Sequence, residues 1–150
     1  MTAIQPGAGA PPLTGVAFGD GPRLLAFYKV TCPVCQMAAP KIQALADRYP
    51  GVVVPLGQDP AEKLTAFADA YGLTQPALTE PPPYRASDAY GVRTVPTLFL
   101  VGEDGTVLET VESWSRDGYN AVAHRLAELT GEEYEPVSEP GDGLPPFRPG

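Results

Sequence analysis

The sequence predicts a three-layer α/β/α fold in which a central mixed β-sheet carries helices on both faces. Strand-like and helix-like segments follow one another in the order β, α, β, α, insert, β, β, α. The first strand-like run, 23–30, is apolar at nearly every position, which is typical of a strand buried on both faces. Two later β-rich runs flank Gly102-Glu103-Asp104-Gly105 and predict an antiparallel hairpin, so the sheet should be mixed.

The first part of the chain contains two weakly patterned segments and one strong helix. Residues 1–12 are rich in Gly, Ala and Pro and are expected to form a flexible N-terminal segment. Residues 13–18 predict a short strand that adds to the sheet. A helix over 33–49 follows the central strand, and Pro40 inside it predicts a kink. The apolar residues of that helix recur four, three and four residues apart, at Ala38, Ile42, Leu45 and Tyr49.

Start and stop signals bound the elements of the second part. Residues 52–56 predict a β-branched strand, and Asp59 is expected to cap a helix that ends near Gly72. Residues 73–86 form a proline-heavy insert. The remaining elements are a helical turn at 87–90, hairpin strands at 97–101 and 106–111, and a last helix at 116–129 that Ser115 caps and that buries Leu129.

The composition describes one acidic domain. With 43% hydrophobic residues in 150, the chain can form one core, expected at 13–130, followed by an acidic Pro/Gly-rich C-terminal tail at 131–150 that should be mobile. The net charge of -8 disfavours nucleic acid and anionic membrane as partners. Residues 1–12 lack a signal-like pattern, and no segment approaches 18 apolar residues, so a cytoplasmic protein is expected. The sequence has no long apolar stripe that would indicate an oligomer, so a monomer is expected.

The only two cysteines, Cys32 and Cys35, directly follow the central strand with a C-x-x-C spacing. Cys32 stands at the start of a helix, where unpaired N–H groups and the positive end of the helix dipole stabilise a thiolate. Pro33 lies in the first turn of that helix, where proline is tolerated. In a reducing compartment such a pair is catalytic or metal-binding rather than structural. This strand, turn and helix context indicates redox chemistry.

Several pieces of the sequence together resemble the thioredoxin superfamily, and within it the redoxin branch of thiol-disulfide reductases that includes the TlpA and ResA-like proteins. These pieces are Phe27-Tyr28, Cys32-Pro33-Val34-Cys35, Pro40, Asp88-Ala89-Tyr90-Gly91-Val92, Thr94-Val95-Pro96-Thr97-Leu98-Phe99-Leu100 and Asp104-Gly105. The resemblance covers about residues 13 to 130. It implies a thioredoxin-like fold and a thiol-disulfide oxidoreductase.

The resemblance also implies a role for each residue of the motif. Cys32 corresponds to the nucleophile that attacks a substrate disulfide, and Cys35 corresponds to the buried thiol that resolves the mixed disulfide. Pro96 corresponds to a cis-proline beside the cysteines. A cis bond there turns the Val95 backbone toward an incoming peptide and offers it strand-like hydrogen bonds.

Thr31 and Pro33, together with Val95 and Pro96, are the expected substrate-binding residues. The expected partners are a protein or small-molecule disulfide and a thiol or reductase that donates electrons. The Cys32–Cys35 disulfide is itself the redox group, so no bound cofactor and no metal is expected.

The chain departs from the family pattern where a proton acceptor for the second cysteine is common. Ala26 stands where thioredoxins usually carry a buried Asp, and Ala38 stands where ResA-like members often carry a Glu. Glu80, in the insert, is a candidate replacement, although an exposed loop acid is the simpler interpretation. Lys29, three residues before Cys32, is expected either to favour its thiolate by charge attraction or simply to reach water.

Three alternatives remain open from the sequence. A peroxiredoxin-like thiol peroxidase usually has Thr or Ser three residues before its reactive cysteine, whereas Lys29 holds that place before Cys32. A metal carrier needs more ligands than two thiols, and the single histidine, His124, lies off the apolar stripe of the last helix. A non-catalytic adaptor could present Trp114 on a surface, although Trp114 is better interpreted as a packing residue.

Overall fold

A computed structural model describes residues 2–150 and contains a five-stranded mixed sheet with the strand order β3-β2-β1-β4-β5. Its elements are β1 (Arg23–Tyr28), α1 (Pro33–Arg48), β2 (Val53–Gly57), α2 (Ala61–Tyr71), β3 (Leu78–Thr79), α3 (Arg85–Tyr90), β4 (Thr97–Val101), β5 (Val107–Glu112), β6 (Trp114–Ser115), α4 (Arg116–Thr130) and β7 (Phe147–Arg148). The predicted fold class is confirmed. Across these residues, no helix has both the length and the apolar character needed to cross a membrane.

Strand β1 lies at the centre of the sheet. It pairs in parallel with β2 and antiparallel with β4, which forms the predicted hairpin with β5. Because β1 and β2 are parallel, the residues that follow their carboxyl ends meet at the same edge of the sheet. The C-x-x-C motif follows β1 at that edge.

The core lies on both faces of β1, as its apolar run predicts. Leu24 and Ala26 face a cluster that helices α1 and α4 supply, while Leu25 and Phe27 face the side that α3 covers. On this second face Phe27 contacts Phe99 edge-on, with ring centroids 5.7 Å apart. Helix α1 runs through Pro40 as one helix.

The expectation of a flexible segment at 1–12 and a strand at 13–18 differs from the structure. Residues 13–18 form no strand; instead the preceding segment runs beside β5, where the Gly7 amide donates to the Val107 carbonyl at 2.9 Å and the Val107 amide donates to the Ala8 carbonyl at 2.8 Å. Ala3 is buried in the cluster on the α3 side of the sheet. These backbone bonds need no side-chain pattern, so the sequence gives no sign of them. Met1 lies outside the described residues.

The expected mobile tail at 131–150 also differs from the structure, which packs this segment against α4 and β6. The Asn120 carboxamide accepts from the Val137 and Ser138 amides at 2.7 and 3.1 Å. The Trp114 indole donates to the Pro145 carbonyl at 2.7 Å. Strand β7 then pairs antiparallel with β6. Leu129, expected in the core, is 47% exposed.

Asp142 organises this packing. Its carboxylate accepts from the Ser138 hydroxyl at 2.6 Å and from the Leu144 amide at 3.0 Å, and it pairs with Lys41 at 3.1 Å and Arg116 at 3.4 Å. The bond from Ser138 is the largest cause that holds the pKa of Asp142 well below its ordinary value of 3.8, followed by the Leu144 amide and, more weakly, Lys41.

Asp142→Asn should therefore loosen the 137–146 segment. Because the pKa of Asp142 is lowered in the folded state, its contribution to stability is complete above its ordinary value of 3.8 and is lost as the pH falls below it. Denaturant unfolding at a series of pH values should show the variant less stable at pH 7 and the difference shrinking in acid. Asp69→Asn, at an exposed position of α2, is the matched control. A difference that is constant with pH would contradict this role.

Candidate active site

The sulfur of Cys32 lies at the start of α1 and beside the Val95 carbonyl. Cys32 is the N-cap residue, and its Sγ accepts a hydrogen bond from the Cys35 amide at 3.2 Å. On its other side the thiol donates to the Val95 carbonyl at 3.4 Å. Sγ therefore lies at a helix start, where anions commonly bind, and it faces a carbonyl oxygen on its other side. Cys32 is partly exposed, so a small reagent can reach its sulfur.

The expected substrate-binding residues lie around this sulfur. Thr31 and Pro33 are exposed on either side of Cys32 in the sequence, and Pro33 occupies the first turn of α1. The peptide bond between Val95 and Pro96 is cis. Pro96 is buried, whereas Val95 is partly exposed. The hydrogen bond between the Cys32 thiol and the Val95 carbonyl thus connects the two groups of expected substrate-binding residues. Thr31 and Pro33 lie on one side of it, and Val95 and Pro96 lie on the other.

Cys35 is a buried thiol one helical turn after Cys32. It is 2% exposed and packs with Tyr28, Leu64 and Phe67. Burial is the largest cause that raises the pKa of the Cys35 thiol well above its ordinary value, and the hydrogen bond with Cys32 adds to it. Cys35 is therefore protonated and shielded in the dithiol form. This difference in exposure gives the two sulfurs different chemistry, as the resolving role expected for Cys35 requires.

The Lys29 side chain is exposed. Lys29 is tied to the site by its backbone, because its carbonyl accepts from the Cys32 amide at 3.3 Å. The proposed effect of its charge on the Cys32 thiolate stays a prediction.

Two polar side chains that the sequence analysis did not assign to the site hold the loop before Cys32. Asp59 accepts from the Val30 amide at 2.9 Å, and Gln36 donates to the Val30 carbonyl at 3.0 Å. Asp59 was expected to cap α2, but that helix begins after Pro60 without a side-chain cap. The parallel order of β1 and β2 could have indicated this contact, because Asp59 follows β2 at the same sheet edge as the cysteines.

Asp59 is also an acidic side chain whose charge affects the buried Cys35 thiol. Ala26 and Ala38 are buried and offer no carboxylate. The negative charge of Asp59 is the weakest of the causes that raise the pKa of Cys35. Glu80, interpreted as an exposed loop acid, is instead 6% exposed, and its carboxylate accepts from the backbone amide and the hydroxyl of Ser87. Glu80 therefore orients the first turn of α3, and Asp59 is the better candidate for a carboxylate whose charge reaches Cys35.

The chain matches the AhpC/TSA family over residues 14–110, a stretch that contains both cysteines and Pro96. The chain belongs to the AhpC/TSA family. It is 28% identical over 89 residues to the thiol-disulfide oxidoreductase ResA of Halalkalibacterium halodurans; the match covers 57% of this chain but 50% of ResA, so the chain spans about half the length of that curated relative. The resemblance to the redoxin branch is thereby confirmed.

Solved structures share the fold of this AhpC/TSA-family chain. A Chlorobium tepidum protein assigned as the thiol:disulfide interchange protein DsbE has a TM-score of 0.72 at 20% identity, covering 85% of this chain and 99% of that one. A secreted Mycobacterium tuberculosis disulfide oxidoreductase homologous to DsbE has a TM-score of 0.61 at 23% identity, covering 73% and 82%. At these identities the likeness establishes the thioredoxin-like fold.

His124 and Trp114 are the residues considered for the alternative functions of this AhpC/TSA-family chain. His124 is exposed and pairs with Glu128 on its own helix at 3.1 Å. Among residues 2–150, no three His, Cys, Asp or Glu side chains lie close enough to share a metal ion. Trp114 is fully buried and packs on Tyr119 with ring centroids 4.5 Å apart, so it is a packing residue and not a surface for an adaptor.

The buried thiol of this AhpC/TSA-family chain predicts a loss of stability in alkali. Above pH 9.0, the ordinary pKa of Cys35, the unfolded chain gives up a proton that the folded chain keeps, so stability falls as the pH rises. Tyr28 adds the same trend at higher pH, because burial raises its pKa from 10.0 to about 12. Urea unfolding of the reduced protein between pH 8 and 11 should show a shallower decline for Cys35→Ala than for the parent. Identical slopes would contradict the buried-thiol account.

Proposed function

We propose that this chain is a thiol-disulfide oxidoreductase that reduces disulfides in protein or peptide substrates. One observation carries the proposal: a partly exposed sulfur, Cys32 Sγ, lies at a helix start beside the Val95 carbonyl, and a buried second thiol follows one turn later. The similarity to ResA supports the same function, although it covers half of that protein.

The reaction consists of two thiol-disulfide exchanges. The Cys32 thiolate attacks one sulfur of the substrate disulfide, a mixed disulfide forms, and the other substrate sulfur leaves as a thiolate that takes up a proton. Cys35 then loses its proton and attacks Cys32 Sγ, which closes the Cys32–Cys35 disulfide and releases the second substrate thiol. The substrate gains two electrons and two protons, and the enzyme dithiol loses them.

The protein contributes geometry and electrostatics to these steps. The Cys35 amide stabilises charge on Cys32 Sγ before the attack and whenever Cys32 is the leaving group. Loss of the Cys35 proton is the harder requirement, because burial raises its pKa. The attack of Cys35 on Cys32 therefore has two possible routes. Either the mixed disulfide alters the surroundings of the Cys35 thiol, or a transient acceptor such as the leaving substrate thiolate takes its proton.

The partners and location belong to this proposal as well. A thiol or a reductase must return two electrons to the Cys32–Cys35 disulfide, and the exchange needs no bound cofactor. The cytoplasmic location and the monomeric state expected from the sequence stay predictions. The Mycobacterium tuberculosis relative is itself secreted. Fractionation of cells that express the natural protein would decide the location.

Trapping of the mixed disulfide tests the proposed function. Cys35→Ser should accumulate a covalent complex with a disulfide-bonded substrate such as insulin, because the resolving attack is missing. The complex should appear on non-reducing gels and disappear with dithiothreitol. Cys32→Ser is the matched control and should form none. Failure of Cys35→Ser to form a complex, together with rapid peroxide consumption by the parent, would favour the peroxidase alternative.

A further inference from the structure

The 147–150 segment lies against the carbonyl that Cys32 contacts. The backbone of Gly150 approaches Val95 so closely that a Cβ atom at position 150 would overlap the Val95 carbonyl oxygen. The Gly150 amide donates to the Ser113 hydroxyl at 3.0 Å, and the Ser113 amide donates to the Pro96 carbonyl at 2.8 Å. Ser113 therefore joins this segment to the loop that carries Val95 and Pro96.

The same segment is held in the manner of an added peptide strand. Phe147 and Arg148 pair antiparallel with Ser115 and Trp114, at an edge outside the main sheet. Backbone contacts hold the segment, because its side chains are exposed and Phe147 is 56% exposed. Few buried apolar contacts make such a segment easy to open.

The preceding 137–146 segment is held much more firmly. Ser138 is 2% exposed, the Trp114 indole bonds the Pro145 carbonyl, and the Arg116 guanidinium donates to the Leu144 carbonyl at 2.9 Å. Asp142 joins the same network. The 137–146 segment thus forms a fixed base, whereas the 147–150 segment is weakly held.

We propose that residues 147–150 occupy part of the binding site for the substrate polypeptide, so that a substrate must displace them to place its disulfide at Cys32. This inference rests on the proposed function. A polypeptide whose sulfur bonds to Cys32 Sγ lies close to the Val95 carbonyl, since these two atoms are 3.4 Å apart. Gly150 fills space beside that carbonyl, and two backbones cannot occupy it together.

The consequence is a selective barrier. The apparent affinity for a polypeptide equals its intrinsic affinity multiplied by the fraction of molecules in which 147–150 is open, whereas the reaction of a reagent too small to need the Val95 edge is not reduced. Opening of 147–150 leaves the base in place, because the contacts of Trp114, Arg116 and Asp142 involve residues 137–146. Extended polypeptide disulfides are therefore the substrates whose binding this segment controls.

Two variants separate the segment from the site. Gly150→Ala places a Cβ where the Val95 carbonyl lies, and a chain shortened after Pro146 removes the segment. Both should react with an extended peptide disulfide about tenfold faster at low substrate concentration, while the rate of Cys32 alkylation by iodoacetamide changes less than about twofold. Gly9→Ala makes the same chemical change where a Cβ meets no atom within 4 Å, and it should leave both rates unchanged.

Equal acceleration of both reactions would mean simple shielding of the sulfur and would overturn the proposal. Unchanged peptide rates in both variants would overturn it as well. The shortened chain is included because a Gly150→Ala variant that only repositions the segment would not open the site.

Hydrogen exchange in the trapped complex gives the direct test. Cys35→Ser is linked through Cys32 to an extended peptide, and amide exchange is compared with that of the free variant by NMR. The Gly150 amide should lose its protection, whereas the Arg116 amide, which donates to the Pro146 carbonyl at 2.9 Å, should keep it. Unchanged protection of Gly150 in a fully formed complex would overturn this inference alone. If no complex forms with any disulfide, the proposed function fails and this inference fails with it.

Discussion

Cys32→Ser should lower the rate of disulfide reduction by roughly a thousandfold or more, because a serine hydroxyl cannot replace a thiolate as the attacking group. Cys35→Ser should behave differently. It should keep the first exchange, since Cys32 retains its helix-start position and the bond from the residue 35 amide, and it should lose turnover with a protein disulfide. Insulin reduction measured by turbidity gives turnover, and stopped-flow mixing with an activated disulfide gives the first step.

The contrast between these two variants is the informative result. Both substitutions are nearly isosteric, so circular dichroism should show that the fold is retained, and Cys35→Ser should unfold at a lower temperature because it buries a hydroxyl among apolar side chains. A Cys32→Ser variant that still turns over, or a Cys35→Ser variant that loses the first exchange, would contradict the assigned roles of attacking and resolving thiol.

Trp114→Ala should produce the largest loss of stability, about 3–5 kcal/mol. The Trp114 side chain is 0% exposed, packs on Tyr119 and donates to the Pro145 carbonyl. The substitution leaves a cavity between the hairpin and α4 and removes a bond that holds the 137–146 segment. Urea unfolding at neutral pH measures the change.

Phe147→Ala provides the comparison for Trp114→Ala. It also removes an aromatic ring, but Phe147 is 56% exposed, so its loss should change the free energy of unfolding by less than about 0.5 kcal/mol. A loss below about 1 kcal/mol in Trp114→Ala would mean that the 137–146 segment and α4 do not depend on this residue.

The centre of the fold was predictable because local pattern and tertiary structure agree there. The apolar run at 23–30 contains β1, and the periodic residues after Cys35 belong to α1. Ser115 caps α4 as expected and accepts from the Gly118 amide at 3.0 Å. Such consistency between local preference and burial is what a sequence can show directly.

The contacts around the site were less predictable because they join residues far apart in the chain. The residues around Asp59 locally predict a helix cap, yet its carboxylate accepts a hydrogen bond from the Val30 amide, 29 residues away. Glu80 is buried because Ser87 satisfies it. The acidic, Pro-rich 131–150 segment has no apolar period, and side-chain bonds from Trp114, Arg116 and Asn120 to its backbone hold it. Neither composition nor periodicity records such bonds.

The reduction potential of the Cys32–Cys35 pair shows whether the two thiols form a redox couple. The protein is equilibrated in glutathione or dithiothreitol redox buffers, free thiols are alkylated with a mass-shifting reagent, and Cys35→Ser serves as the control that cannot form this disulfide. A reversible two-electron transition is expected, with a midpoint between about -270 and -120 mV. Two thiols that remain free, with no Cys32–Cys35 disulfide at any potential in these buffers, would contradict it.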